Sequence, residues 1–139
     1  MATEVHRTRR QLDAEFGHAD VTGELERWVS NSGVRNGLLT VQLVGSTGGV
    51  TTIEYEPGAL ADLRSAIEQL APAHDDYEHN RRWHDGNGFS HLRSALLKTG
   101  LALPIIDAKL QLGAWQQVVA INFDNRARER ELVGIIIGD

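Results

Sequence analysis

A run of six residues near the C-terminal end, Leu132 to Ile137, sets the strictest condition on the fold. It reads LVGIII, so that a strand formed from it is apolar on both faces. Such a strand is stable only when both faces are covered. The sequence therefore predicts either that this strand lies inside a sandwich of two sheets or that a second subunit covers one of its faces.

Strand patterns dominate the rest of the chain. Alternating or continuous apolar residues predict further strands in the segments 39–43, 50–55 and 102–106, and in one whose buried face is marked by Trp115, Val119, Ile121 and Phe123. Residues 4–19 alternate loosely and predict one or two more strands. The triplet Asp124-Asn125-Arg126 predicts the hairpin turn before the last strand.

Helical patterns are fewer. Thr22 is expected to cap a short helix that buries Leu25, Trp28 and Val29. Pro57 starts a second helix, whose core-facing stripe is Leu60, Leu63, Ile67 and Leu70. A third buries Leu92, Ala95 and Leu96 and closes at Gly100. Because strands and helices do not alternate regularly, an α+β fold of mostly antiparallel strands with two or three inserted helices is expected.

Composition limits the classes of function. The chain has 139 residues and is expected to form a single domain over 1–139. It contains no cysteine, so disulfides and thiolate metal sites are excluded. A polar N-terminus without a signal peptide and the lack of a spanning apolar segment predict a cytoplasmic protein with no membrane partner. The net charge of −5 argues against a nucleic-acid binder.

Arginines are dense at two places, Arg81-Arg82 and the segment 126–130. The plainer interpretation is that these side chains are solvated. The alternative is a local basic patch, because the guanidinium group is well shaped for bidentate contacts to phosphate.

Four of the six histidines fall within 18 residues, at His74, His79, His84 and His91. Imidazole is the commonest metal ligand in proteins, and carboxylates nearby can ligate or orient it. The spacing alone is not diagnostic: the acidic segment 74–76 is also explained by a solvated loop. At the start of an apolar helix, His91 fits a core histidine as well as it fits a ligand.

The loop Gly45-Ser46-Thr47-Gly48-Gly49 offers backbone N–H groups and two hydroxyls that can hold an anion. It lacks the Gly-Lys-Ser/Thr ending of a P-loop, and a simple turn between strands explains it as well. Farther on, Asp107 fits either a strand-end acid or a turn residue. Gln116, at the head of a core strand, needs hydrogen-bond partners if it is buried.

Taken together, these segments resemble the YjbQ-like family, whose members are often described as secondary thiamine-phosphate synthases. The resemblance is strongest in YEHNRRWHDGNGFSHLRSALL (77–97) and continues through LPIIDAKLQLGAWQ (103–116), INFDNRARER (121–130) and TTIEYEPGALADL (51–63). It covers nearly the whole chain. No single segment is specific, but their ordered combination is.

The resemblance implies a β-sandwich with inserted helices, assembled as a homotrimer. It also implies a pocket in which three histidines hold a divalent metal ion. His79 and His91 match two of them, whereas Gly45 stands at the place of the third, and His84 is a possible substitute. Two imidazoles alone hold a divalent metal weakly.

Two functions follow as expectations. The first is a transferase similar to thiamine-phosphate synthase, which acts on a phosphorylated small molecule and releases pyrophosphate. In it, His79 and His91 hold a metal or donate protons, Ser46 and Thr47 bind phosphate, and the amides of Asn87 and Gln116 orient the substrate. The alternative is a trimer that binds a small anion without turnover and whose metal site has degenerated at Gly45.

Overall fold

The computed structural model of the chain describes all of residues 1–139. Eight strands and four helices follow one another in the order β1 (Ala2–Leu12), β2 (Gly17–Asp20), α1 (Thr22–Ser32), β3 (Gly37–Val44), β4 (Gly48–Ile53), α2 (Pro57–Leu70), α3 (Glu78–Trp83), α4 (Gly88–Leu97), β5 (Gly100–Ile106), β6 (Lys109–Leu110), β7 (Gln117–Asn122) and β8 (Arg128–Gly138). The strand-rich α+β organisation is as predicted. There are four helices rather than two or three, because the polar segment 73–90 forms α3.

The strands form two sheets in which every pairing is antiparallel. Five strands are ordered β1-β8-β3-β5-β6, and three are ordered β2-β7-β4. Fifteen buried apolar residues from both sheets and from α1 form one core cluster. The final strand lies in the middle of the larger sheet, between β1 and β3, so it has a hydrogen-bonded neighbour on each side.

Helix α2 begins as its sequence predicts. The Glu56 carboxylate accepts hydrogen bonds from the backbone N–H groups of Gly58 and Ala59, and Pro57 occupies the first turn. Leu60 and Ile67 are buried, but Leu70 is 69% exposed. The prediction that Leu70 faces the core is therefore wrong, because the end of α2 extends beyond the surface against which the helix packs.

Thr22 does not cap α1, contrary to the prediction. The helix follows Val21 without a side-chain cap. The Thr22 hydroxyl instead accepts a hydrogen bond from the Val118 N–H at 2.7 Å, and the carboxylate of Asp20 receives the Thr22 N–H. The threonine thus satisfies a buried backbone group of β7.

Helix α4 faces the opposite way from the prediction. Leu92 and Leu96 are exposed, and the buried side includes Ser90, Arg93 and Ser94. Ser94 donates to the carbonyl of Gly48 at 2.6 Å, which fixes the helix against the start of β4. Apolar periodicity failed here because small and polar side chains let the helix approach the sheet closely.

Trp115 also departs from its prediction. It precedes β7 and is 76% exposed, whereas Val119, Ile121 and Phe123 are fully buried as expected. None of the four helices combines the length and the apolar composition needed to span a bilayer.

Candidate functional site

The junction between α3 and α4 brings two distant histidines into contact. His79 lies on α3 and His91 on α4, with ring centroids 4.4 Å apart. The Asn80 side chain accepts the Gly88 N–H at 2.8 Å and joins the two helices. Position 88 must be glycine because a Cβ there would lie 2.7 Å from the Cβ of Tyr77. The Tyr-x-His-Asn and Gly-Asn-Gly segments therefore serve to place the two imidazoles side by side.

Burial and charge around this pair favour a neutral His91. Desolvation and the neighbouring His79 lower the pKa of His91 below its ordinary value, against the opposing influence of Asp85 and Asp124. The Nδ1 atom of His79 is buried without a hydrogen bond and lies 3.5 Å from the carboxylate of Asp85. This atom is a polar group whose hydrogen-bonding capacity is unused in the isolated chain.

His91 opens onto a cleft of about 420 Å³ that includes the glycine-rich loop. The cleft is lined by Gly45, Ser46, His91, Ser94, Ala95, Lys98 and Thr99. Ser46 is exposed on the loop that joins β3 to β4, so its hydroxyl is free to meet a ligand. Imidazole, hydroxyl and ammonium groups around one opening favour an anion.

A buried polar cluster supports the wall of this cleft. The hydroxyl of Thr47 donates to the carboxylate of Asp124 at 2.9 Å, and Arg128 pairs with the same carboxylate at 3.1 Å. Burial would raise the pKa of Asp124, but the hydrogen bond from Thr47 and the charge of Arg128, with smaller contributions, hold it below its ordinary value. The Asn87 side-chain carbonyl accepts the N–H of Asn125 at 3.1 Å, which ties the β7–β8 turn to the start of α4.

Arg130 is the main residue of the site that the sequence interpretation missed. It was expected to be solvated with its neighbours, yet it is only 6% exposed. Its guanidinium donates to Asn122 Oδ1 and to Thr47 Oγ1. The signal was present in the strand period of two, because Arg130 shares its face of β8 with the buried Leu132 and Ile136.

The predicted site residues divide into two groups. Ser46, Thr47, Asn87, His79 and His91 lie in one region, although the hydroxyl of Thr47 and the side chain of Asn87 are engaged in hydrogen bonds within the protein. Gln116 is exposed and bonds the Gly113 N–H and the Thr52 hydroxyl, near the far end of β4 from the glycine-rich loop.

His84 is exposed at the end of α3, with positive φ. Asp107 lies in a turn and pairs with Arg35, which fits the turn interpretation. Neither residue extends the histidine pair.

The residues present fit a metal ion poorly. No group of three or more His, Cys, Asp or Glu side chains is placed to hold one. Beside the imidazole pair stands Gly45, where the resemblance implies a third histidine, and an ideal Cβ at that position would lie 2.7 Å from Nη1 of Arg130. A divalent metal ion stays a prediction from the resemblance.

Larger clefts lie elsewhere, without this chemistry. One of about 580 Å³ lies between α1 and β6, and one of about 490 Å³ lies beside Tyr55 and the start of α2. The second contains a single histidine, His18, hydrogen-bonded to Tyr55. The smaller cleft at His91 instead combines the Ser46 hydroxyl, the His91 imidazole and the Lys98 ammonium group.

Comparisons with known proteins agree on the family. The family described as "UPF0047 protein YjbQ-like" matches residues 7–139. A UPF0047 protein of Archaeoglobus fulgidus is 33% identical over 114 residues, 82% of this chain and 86% of that protein. One of Methanothermobacter thermautotrophicus is 32% identical over 129 residues, 93% of this chain and 86% of that protein.

Solved structures give the same result. A hypothetical protein of Aeropyrum pernix K1 superimposes with a TM-score of 0.90 at 29% identity, covering 98% of this chain and 99% of that one. A protein of unknown function from Sulfolobus solfataricus P2 gives 0.88 at 25% identity, covering 99% of this chain and all of that one. With matched sequence, fold and length, this chain belongs to the YjbQ-like, or UPF0047, family.

Proposed function

We propose that the chain binds a phosphorylated small molecule in the cleft at His91 and catalyses its reaction with release of pyrophosphate. The observation that carries this proposal is the contact between His79 and His91 beside a loop with a free hydroxyl. The reaction type comes from the family resemblance: a pyrimidine diphosphate is joined to a thiazole phosphate.

The chemistry requires charge neutralisation and a proton. The carbon–oxygen bond to the diphosphate breaks, its electron pair leaves on pyrophosphate, and a lone pair of the second substrate forms the new bond. Ser46 and the N–H groups of its loop hold phosphate oxygens. An arriving anion raises the pKa of His91, so that this imidazole becomes protonated. His91, or His79 in contact with it, donates the proton to the departing pyrophosphate.

Binding without turnover is the second candidate. It is favoured by the absence of a three-ligand metal group and by Gly45 at the implied histidine position. The same cleft then binds an anion but lacks the metal ion, and so the Lewis acid, that the resemblance implies.

The test measures pyrophosphate release and ligand binding by the purified full chain. We expect turnover of the pyrimidine diphosphate with the thiazole phosphate, lost in His91→Ala and kept in His74→Ala, whose histidine is exposed outside the cleft. Turnover that survives His91→Ala contradicts the catalytic assignment. Binding of pyrophosphate without turnover, with or without added zinc, supports the second candidate instead.

Assembly as a homotrimer is also proposed, from the outer face of the five-stranded sheet. Ile135 and Ile137 are 37% and 41% exposed, and their partners across the sheet, Val5 and Leu38, are exposed as well. The inner face of β8 is already covered by the core, which supports the subunit alternative for its outer face. An apolar strip of this kind is typical of an interface. The cytoplasmic location stays a prediction from the sequence.

A further inference from the structure

Arg130 carries a buried positive charge that no carboxylate balances directly. Its Nε and Nη2 atoms donate to the neutral groups of Asn122 and Thr47, and its Nη1 atom makes no hydrogen bond. The carboxylate of Asp124 also bonds Thr47, but its own ion pair is with Arg128. Two guanidinium groups thus share one carboxylate, and one positive charge is left over.

A buried charge without a partner is costly, so its retention calls for an explanation. Desolvation lowers the pKa of Arg130, against the stabilising charge of Asp124. A guanidinium nevertheless stays protonated at any physiological pH. An anion from outside the chain would supply the missing charge and the missing hydrogen-bond acceptor together.

Arg130 does not itself line the cleft, but its Nη1 atom lies against the backbone of Gly45. An ideal Cβ at position 45 would lie 2.7 Å from this nitrogen, and the φ angle of +133° disfavours any residue with a side chain. Gly45 is itself part of the cleft wall, together with Ser46 and His91. Only a glycine lets the guanidinium approach the cleft so closely.

We propose that Arg130, reached over Gly45, is the anion-recognising residue of this cleft and binds a phosphate or diphosphate group without a metal ion. The inference deepens the proposed function and rests on it, because it assigns the charge-neutralising role to a residue of the chain. The guanidinium stands where the resemblance implies a third histidine ligand. A divalent cation beside it would meet electrostatic repulsion, whereas a phosphate meets a strong, charge-assisted donor.

Calorimetric titration of the full chain tests the anion-binding role of Arg130. The probes are inorganic pyrophosphate and sulfate, and each is titrated first in the presence of a chelator and then with excess zinc. We expect both anions to bind in chelator with an affinity that zinc does not raise. Arg130→Gln should weaken pyrophosphate binding by about 10- to 100-fold, the usual effect of losing a charge-assisted hydrogen bond. The matched control is Arg126→Gln, which removes an exposed arginine from the turn that precedes β8 and should change affinity less than about twofold.

Gly45→Ala is a second variant, in which residue 130 is still arginine. The added methyl group should displace Nη1 and weaken pyrophosphate binding, while thermal melting shows that the protein is folded. If Arg130→Gln does not fold, this variant tests the inference alone. Binding that disappears in chelator and returns with zinc would overturn the inference and leave the proposed function standing. Unchanged affinity in folded Arg130→Gln or Gly45→Ala would also overturn it. If neither anion binds with or without zinc, the proposed function fails too.

Discussion

The outer face of the five-stranded sheet and the cleft at His91 depart from ordinary burial in opposite directions. On the sheet, Ile135 and Ile137 are apolar and exposed; behind the cleft, Asp124 and Arg130 are charged and buried. Scattered exposed apolar residues are common, but a contiguous strip and a buried charged group each call for a cause. The comparison teaches that the two proposals rest on opposite chemistry: the subunit interface on an exposed apolar strip, and the anion site on a buried charged group.

The outer face offers the largest expected effect. Ile137→Asp places a carboxylate in the proposed interface, where it cannot be solvated. We expect light scattering to report about three times the chain mass for the unmodified protein and a single chain for the variant. Leu70→Asp, which changes an exposed leucine at the end of α2, should leave the mass unchanged. A monomeric unmodified protein at working concentration would rule out the trimer.

The buried charges offer an intermediate effect. Asp124→Asn removes the carboxylate that accepts from Thr47 and pairs with Arg128. We expect the free energy of unfolding in denaturant to fall by about 1.5 to 3 kcal/mol near neutral pH, the usual cost of losing hydrogen bonds to a charged group. Asp62→Asn, an exposed carboxylate on α2, serves as the control and should be neutral.

The same variant has a pH signature. Because the pKa of Asp124 is lower in the folded chain, the unfolded chain binds more protons in acid. The stabilisation by this carboxylate is complete above its ordinary pKa of 3.8 and is lost as the pH falls through the lower folded value. Asp124→Asn should therefore show less loss of stability in that range. If the free energy of unfolding falls equally in both proteins as the pH is lowered, the Asp124 carboxylate is not stabilised by these contacts.

The imidazole pair offers the smallest effect. The lowered pKa of His91 means that this ring gains its charge only below pH 6.5. Sulfate affinity should then rise by about three- to tenfold as the pH falls through the range below 6.5 in which this ring becomes protonated, because a cation is added beside the cleft. Sulfate keeps its charge in this range, so the ligand does not contribute to the trend.

His91→Gln should reduce that rise, whereas His74→Gln should leave it unchanged. A pH profile equal to that of the unmodified protein would show that the ring at position 91 does not face the bound anion.

The parts of the fold that were predictable from the sequence are those that local patterns determine. The strands and α2 with its Pro57 start follow from period and proline geometry. The chain does turn at Asp124, but the predicted hairpin is wrong, because β7 and β8 lie in different sheets and do not pair with each other. The orientation of α4 did not follow, because Ser94 and Gly48 decide it through a long-range hydrogen bond. Thr22 failed as a cap for the same reason, since its hydroxyl serves β7.

The site was predictable only in part. The histidine-rich segment was visible, and the family resemblance selected His79 and His91 from it. Arg130 was hidden among solvated arginines, although its position on the inward face of β8 was a usable signal. The separation of Gln116 from the cleft depends on how β4 and β7 are paired, which no local pattern encodes.

The place of β8 in the sheet has a consequence for folding. This strand lies between β1 and β3, and β1 precedes it by more than a hundred residues along the chain. The larger sheet therefore cannot close until these distant segments meet. Contacts so distant along the chain make folding slow and leave unpaired strand edges open to aggregation. A chain truncated before Arg128 would lack β8, the strand that joins β1 to β3, and Arg130 with it.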